Sequence, residues 1–309
     1  MSVLRVHLFG TFRVHYNEHT LAGLDAPKIQ ELFCYLLLHR VRLLSRDILA
    51  DLLWSDSSTE QSKKYLRQGL WQLQTAMECC LPEDAQRLLT VEHDGIQINQ
   101  TIPIWLDSEL FEQAFTQTKG IVGAHLDQQS ASLLQDMVSL YQGDLLEGWY
   151  QDWCVYERER FQNMYFMILA KLMAYCEAHQ EYETAISYGH LILRYDRANE
   201  RTHQRLMCLY FWSGDRIAAL RQYQRCVIAL REEFDVEPAA QTCALYKLIH
   251  ADKLPEPGIA LPVSAPKQVA DTTPITAALA RLEQVSTVLV HLQQSVADDI
   301  QILRRAVGK

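Results

Sequence analysis

The sequence predicts a mainly α-helical chain with a small β component, and three observations carry this. Long stretches place apolar residues at helical spacing, as in Leu66, Leu70, Leu73 and Met77. Two short stretches, residues 3–16 and 88–98, instead alternate apolar and polar residues, around Gly10 and around His93-Asp94-Gly95. A helical pattern in the middle of the chain recurs at an offset of 34 residues.

Composition bounds what the chain can do. Its 309 residues suit two or three domains, and 49% hydrophobic with 22% charged residues is ordinary globular usage. No apolar run reaches membrane-spanning length, and MSVLRVHLFG alternates too strongly for a signal peptide, so a cytoplasmic protein is expected. The eight cysteines include no CxxC pair, and the eleven histidines include no HExxH. These counts predict neither a disulfide framework nor a metal site. There is also no phosphate-binding loop, no GxGxxG and no GxSxG, so no cofactor and no enzymatic activity are expected. Net charge is −9, divided as −2 over residues 1–105, −7 over 106–250 and zero beyond. Any nucleic-acid binding must therefore come from a local patch.

Taken in order, residues 3–16 and the turn at Asn17-Glu18-His19 predict a small antiparallel sheet. Pro27 opens a helix over residues 28–39, with Ile29, Leu32, Phe33, Leu36 and Leu37 on its buried face. Ser45 is placed to cap a helix over 46–54. After a turn, residues 59–77 form a second short helix, and Leu81-Pro82 ends it. Residues 88–91 and 96–98 then pair as a hairpin. A sheet, three helices and a hairpin over residues 1–105 describe a winged helix-turn-helix with an N-terminal sheet.

From Leu106 to about residue 250 the pattern is helical throughout. Leu172 matches Leu206, Cys176 matches Tyr210, Ala185 matches Ala219, and HQEYETAI parallels SGDRIAAL. Small residues where two helices cross, at this period, make a tetratricopeptide-like all-α domain over 106–250. Trp149, Trp153, Tyr156 and Phe161 are expected in its core. Residues 251–274, with five prolines, read as a linker. Residues 275–309 then read as a coiled-coil-like helix. Its stripe, including Leu279, Leu282, Leu289, Leu292, Val296, Ile300 and Leu303, suits self-association, with packing back onto the array as the alternative.

The helix over 59–77 sets its apolar stripe against Lys64, Arg67, Gln68, Trp71 and Thr75 on the other faces. This can be an ordinary solvated face, or the shape that enters a DNA major groove. On the second reading Arg67 would grip a guanine edge, Gln68 an adenine, and Lys63 and Lys64 the phosphates. Arg40, Arg42, Ser45 and Arg46 crowd the preceding helix start, either as solvated loop residues or as a phosphate contact at the helix N-terminus. An outward Trp71 needs a cover: a sugar, the next domain or another protomer, with a protein contact favoured. Further on, Arg201, Arg205, Arg216, Arg221 and Arg225 make the last hairpin locally basic. They form either a solvated face or a site for an anionic effector or acidic partner.

Over residues 3–250 the chain resembles the Streptomyces antibiotic regulatory protein family. The segments that carry this are LRVHLFGTFRV, ELFCYLLLHRVRLLSRDILADLLW, the helix from Ser62 to Met77, WLDSELFEQAF, LYQGDLLEGWYQDWCVYERERF, LMCLYFWSGDRIAALRQYQRCVIALREEFDVEP, and Leu245-Tyr246. The resemblance implies an OmpR-type winged helix followed by a helical transcriptional activation domain. It implies a transcriptional activator that binds promoter repeats as a dimer or higher oligomer and recruits RNA polymerase. It also makes the hairpin with His93 and Gly95 the wing. Two departures stand out. The family's recognition helix continues with arginines where this chain has Gln72, Gln74 and Thr75, and the wing's Glu92-His93-Asp94 is acidic. Each lost phosphate contact lowers affinity and flattens its salt dependence. Oligomerisation could compensate. The alternative is an interaction adaptor or effector-binding protein whose winged helix has weakened or lost DNA binding.

Overall fold

Between Leu4 and Leu106 the chain builds two small sheets around three helices. The structure is a computed structural model, and it describes residues 3–16, 19–20, 24–78, 88–92 and 95–255. The chain divides into the units Met1–Gly258 and Ile259–Lys309, and every described residue belongs to the first. The expected self-association helix, with Leu279, Leu282, Leu289, Leu292, Val296, Ile300 and Leu303, lies outside the described residues. So do His93, Asp94 and all but the start of the expected linker.

Strands β1 (Leu4–His7), β2 (Arg13–Tyr16) and β3 (His19–Thr20) pair antiparallel, with Val6 opposite Val14. Gly10, at φ 77°, lies between β1 and β2, in a backbone region that favours glycine. The sequence pattern contained no strand at 104–106, yet β7 (Ile104–Leu106) lies parallel to β1 and completes the order β3-β2-β1-β7. Three residues are too few to show an alternation of their own. Helix α1 (Pro27–Leu38) buries Ile29, Leu32, Phe33, Leu36 and Leu37 as expected, and also Glu31. After β4 (Leu44–Ser45) come α2 (Arg46–Leu53) and α3 (Thr59–Glu78). Strands β5 (Leu89–Val91) and β6 (Gly95–Ile98) form the expected hairpin, joined by β4 in the order β4-β6-β5.

Helices α4 (Asp107–Gln117), α5 (Gln128–Leu140), α6 (Asp152–Ala178), α7 (Tyr182–Tyr195), α8 (Glu200–Trp212), α9 (Arg216–Phe234) and α10 (Ala240–His250) follow. The pairs α6–α7 and α8–α9 are helical hairpins, and their turns repeat in detail. Gln180 and Gly214 both take positive φ, at 60° and 89°. The next amide reaches back five residues in each turn, Glu181 to the Cys176 carbonyl at 2.8 Å and Asp215 to that of Tyr210 at 2.9 Å. Ala185 and Ala219 are fully buried at equivalent positions. The 34-residue offset in the sequence is thus an offset in structure. Trp153 and Phe161 are buried as expected, and Trp149 is half-buried. Tyr156 is a correction. It is 73% exposed, on the side of α6 away from the buried stripe of Phe161, Ile168 and Leu172.

One hydrophobic core runs through both the sheet-and-helix region and the helices behind it. Phe9 sits with its ring 5.2 Å from Phe111, 4.7 Å from Tyr141 and 5.5 Å from Phe161. Asp107, 1% exposed, accepts the amides of Leu8, Phe9 and Ser108 at 2.7–2.9 Å. The Gly10 amide donates to the Asp144 carbonyl at 2.8 Å, and the Leu146 amide to that of Leu8 at 2.8 Å. Trp153 Nε1 donates to the buried Glu31 at 3.1 Å, and Lys28 pairs with the same carboxylate at 2.8 Å. These contacts seat the three-helix region firmly on the helices behind it.

Candidate nucleic-acid interface

Helices α2 and α3 meet through the turn at residues 54–58. The buried Ser62 hydroxyl holds that turn, 3.0 Å from the Trp54 carbonyl and 3.1 Å from that of Ser58. Lys28 Nζ donates to the Leu53 carbonyl at 2.7 Å, so α1 also closes the end of α2. Gly69 lets α3 sit close on α1. A Cβ there would stand 3.3 Å from Leu32 Cδ2 and 3.4 Å from the Trp54 ring, tight for a packed core.

With Leu66, Gly69, Leu70, Leu73, Ala76 and Met77 inward, α3 turns Lys63, Lys64, Arg67, Gln68 and Trp71 to solvent and leaves Thr75 half-buried. The Thr75 hydroxyl donates to the Trp71 carbonyl at 2.9 Å. Trp71 is 67% exposed, one turn past Arg67 on the same face. An open trough of about 880 Å³ runs along this surface. Arg46, Lys63, Lys64 and Arg67 line it, with Asp47 and Glu60 as the acids and Val91 from the hairpin. Its net charge is therefore positive, in a region whose total is negative.

The expected contacts divide within this geometry. Lys64 and Arg67 make no ion pair among the described residues, whereas Lys63 meets Asp47 at 2.9 Å. Arg46 is half-buried at the start of α2, and its Nε has no hydrogen-bond partner. Arg42 is exposed in the loop before β4. Arg40 is engaged within the protein. Its guanidinium takes both carboxylate oxygens of Glu109 on α4 and is 18% exposed, so it joins two regions of the fold and is withdrawn from the trough. Ser45 stands at the N-cap of α2, but its side chain makes no cap hydrogen bond, and its backbone pairs with Gly95 in the sheet. Gly95 is buried for a packing reason, since a Cβ there would stand 2.5 Å from Leu43. His93 lies outside the described residues.

The five array arginines do not converge. Arg201 and Arg221 are exposed. Arg205 binds the Ala170 carbonyl at 3.2 Å and Glu177 at 3.0 Å. Arg216 reaches the carbonyls of Ile249 and His250 at the end of α10. Arg225 lines an open cavity, together with Arg194 and Arg197, which the sequence had not singled out. The described cysteines are free and buried or half-buried, and burial pushes the thiols of Cys176, Cys208 and Cys226 up to about 12. No group of side chains suited to a metal ion occurs among the described residues. No described helix is long and apolar enough to cross a membrane.

The family model described as a bacterial transcriptional activator domain matches residues 106–250. Residues 106–250 are thus similar to the helical domain that such transcriptional regulators carry. The resemblance implied a helical activation domain over this stretch, and helices α4 to α10 agree with it. The structure of Mycobacterium tuberculosis EmbR in complex with a low-affinity phosphopeptide matches with a TM-score of 0.61 at 15% identity. The match covers 82% of this chain, which spans only 66% of that one. At this identity the likeness concerns the fold, a winged helix followed by an all-α domain. No curated protein matches the sequence.

Proposed function

We propose that the regulator binds double-stranded promoter DNA through α3 and the trough beside it, and that its helical domain then recruits RNA polymerase. The observation that carries this is the outward row of Lys64, Arg67 and Gln68 on a helix whose other face is fully buried, bordered by Arg46. Arg67 presents a planar fork that suits a guanine edge, and Lys64 a point charge that suits phosphate. Ser62, Gly69 and Lys28 fix α3 from behind, so the row is presented without rearrangement. Binding as a dimer or higher oligomer would add the affinity that a short cationic row lacks.

Fluorescence anisotropy with DNA from the protein's own upstream region, across a salt series, tests this. Arg67→Ala should cost about 1–3 kcal/mol of specific binding and leave the melting temperature unchanged. Equal binding to random DNA, unaffected by the variant, rejects the reading for that site.

The second reading is an interaction adaptor, and a specific observation favours it. Trp71 is 67% exposed beside a trough in which Lys63 is already paired and from which Arg40 is withdrawn. On that reading Trp71 anchors a protein partner. Trp71→Ala would then abolish partner capture while leaving DNA anisotropy at the nonspecific level.

A further inference from the structure

An open cavity of about 360 Å³ lies where α7, α8, α9 and the connection around Arg197 meet. Its lining combines three guanidinium groups, Arg194, Arg197 and Arg225, with an apolar wall that includes Leu193 and Ile228. Arg197 pairs with Glu232 at 3.0 Å. Arg194 and Arg225 make no ion pair among the described residues, so the cavity holds unneutralised positive charge.

Beneath Arg225 lies a polar chain that is satisfied at every step. His203 is 2% exposed and Gln222 is fully buried. The Arg197 carbonyl, 2.9 Å from His203 Nε2, can only accept, so Nε2 carries the proton. His203 Nδ1 then accepts from Gln222 Nε2 at 2.8 Å. That turns Gln222 Oε1 toward Arg225, whose Nη1 donates to it at 3.3 Å. A buried network of this kind orients the group at its end. It points one face of the Arg225 guanidinium at a fixed place and leaves its other donors available. The charge is felt nearby: burial first, and Arg225 next, lower the titration of His190, and both also lower that of His203.

Guanidinium groups gathered around a cavity repel one another unless an anion joins them. Several forked donors in one place suit a phosphate, which accepts multiple charge-assisted hydrogen bonds. The volume falls at the small end of the range for small-molecule sites. We propose that this cavity binds a small phosphate-bearing metabolite, its phosphate held by Arg194, Arg197 and Arg225 and its body against Leu193 and Ile228. The site is separate from the α3 trough, and the proposal does not depend on DNA binding.

Calorimetric titration of the full chain with phenyl phosphate, and separately with inorganic phosphate at matched ionic strength, tests it. Phenyl phosphate should bind saturably at one site and more tightly than inorganic phosphate. Arg225→Gln should weaken it about tenfold or more, the loss of a charge-assisted hydrogen bond. Arg221→Gln, on the exposed side of α9, should bind as the wild type does. Circular dichroism establishes that each variant is folded. If Arg225→Gln fails to fold, the exposed Arg194→Gln carries the same test. Absence of saturable binding overturns the proposal, and so does undiminished binding by the folded variant. Inorganic phosphate binding as tightly as the ester overturns the role given to the apolar wall.

Discussion

Asp107 and Lys63 each hold a partner of complementary charge or polarity, one inside the protein and the other in water. Asp107 is 1% exposed and accepts three amide hydrogens where the first sheet meets the helical region. Lys63 and Asp47 pair at 2.9 Å with side chains 46% and 68% exposed. A buried carboxylate of the first kind is costly to disturb, because the amides it holds have no water to turn to. A surface pair of the second kind contributes little and exchanges readily for another partner. The junction therefore fixes where α3 is carried, and the trough is left to be tuned without risk to the fold.

The junction should show the largest effect. Phe9 lies among Phe111, Tyr141 and Phe161, and its removal leaves a cavity that these rings cannot close. Phe9→Ala should cost about 3–5 kcal/mol of stability, measured by urea unfolding. Because one core runs through both regions, tryptophan fluorescence and far-UV circular dichroism should report one coincident transition. Two separate transitions would break the contrast, since the winged helix would then stand on its own. Trp153→Phe comes next. It keeps a six-membered aromatic ring but removes the pyrrole whose Nε1 donates to Glu31, a carboxylate 2% exposed, and should cost about 1–3 kcal/mol.

A pH series sharpens the same contrast. Burial lowers the titration of His7, His39, His190 and His203 below the ordinary value of 6.5, and neighbouring arginines deepen the shift at each. The fold thus favours neutral imidazole, and the unfolded chain binds more protons once the pH drops below 6.5. Stability should be fully present above that value and decline as the pH falls from it toward the lower folded values. A melting temperature that stays level from pH 7.5 to 5.5 would show that these histidines are not held neutral. The trough contains none of them, so the decline reports on the junction and the array.

Much of this was legible in the sequence, and the limits have a physical pattern. The stripe of α3 could be read because helical spacing places its partners within a few residues. The repeat could be read because Gln180 and Gly214 serve the same turn in successive units. Contacts between distant segments could not. Arg40 and Arg42 look alike in sequence, and only the fold brings Glu109, 69 positions away, to the first of them. Glu31 reads as a solvated helix position until Trp153 arrives over it. Arg194 and Arg197 precede the hairpin whose charge attracted notice, and they join Arg225 only once α7 and α9 are neighbours across α8. The outward row at Lys64 and Arg67 was visible early. Which cations were already neutralised depended on partners that spacing does not reveal.

The smallest predicted change is the most direct test of the trough. Asp47→Asn removes the carboxylate that holds Lys63 and leaves the side-chain shape almost unaltered. Both residues are at the surface, so stability should shift by less than about 1 kcal/mol. DNA affinity at low salt should rise, for two reasons. One acid leaves a trough that has only two, and the ammonium of Lys63 becomes available to a phosphate. If Lys63 then makes a phosphate contact, the slope of log affinity against log salt should steepen by about one unit. An unchanged slope with unchanged affinity would place the DNA path away from the α2–α3 edge of the trough. The path would then run along Arg67 and Trp71 alone, and the adaptor reading would gain the ground that the lysine loses.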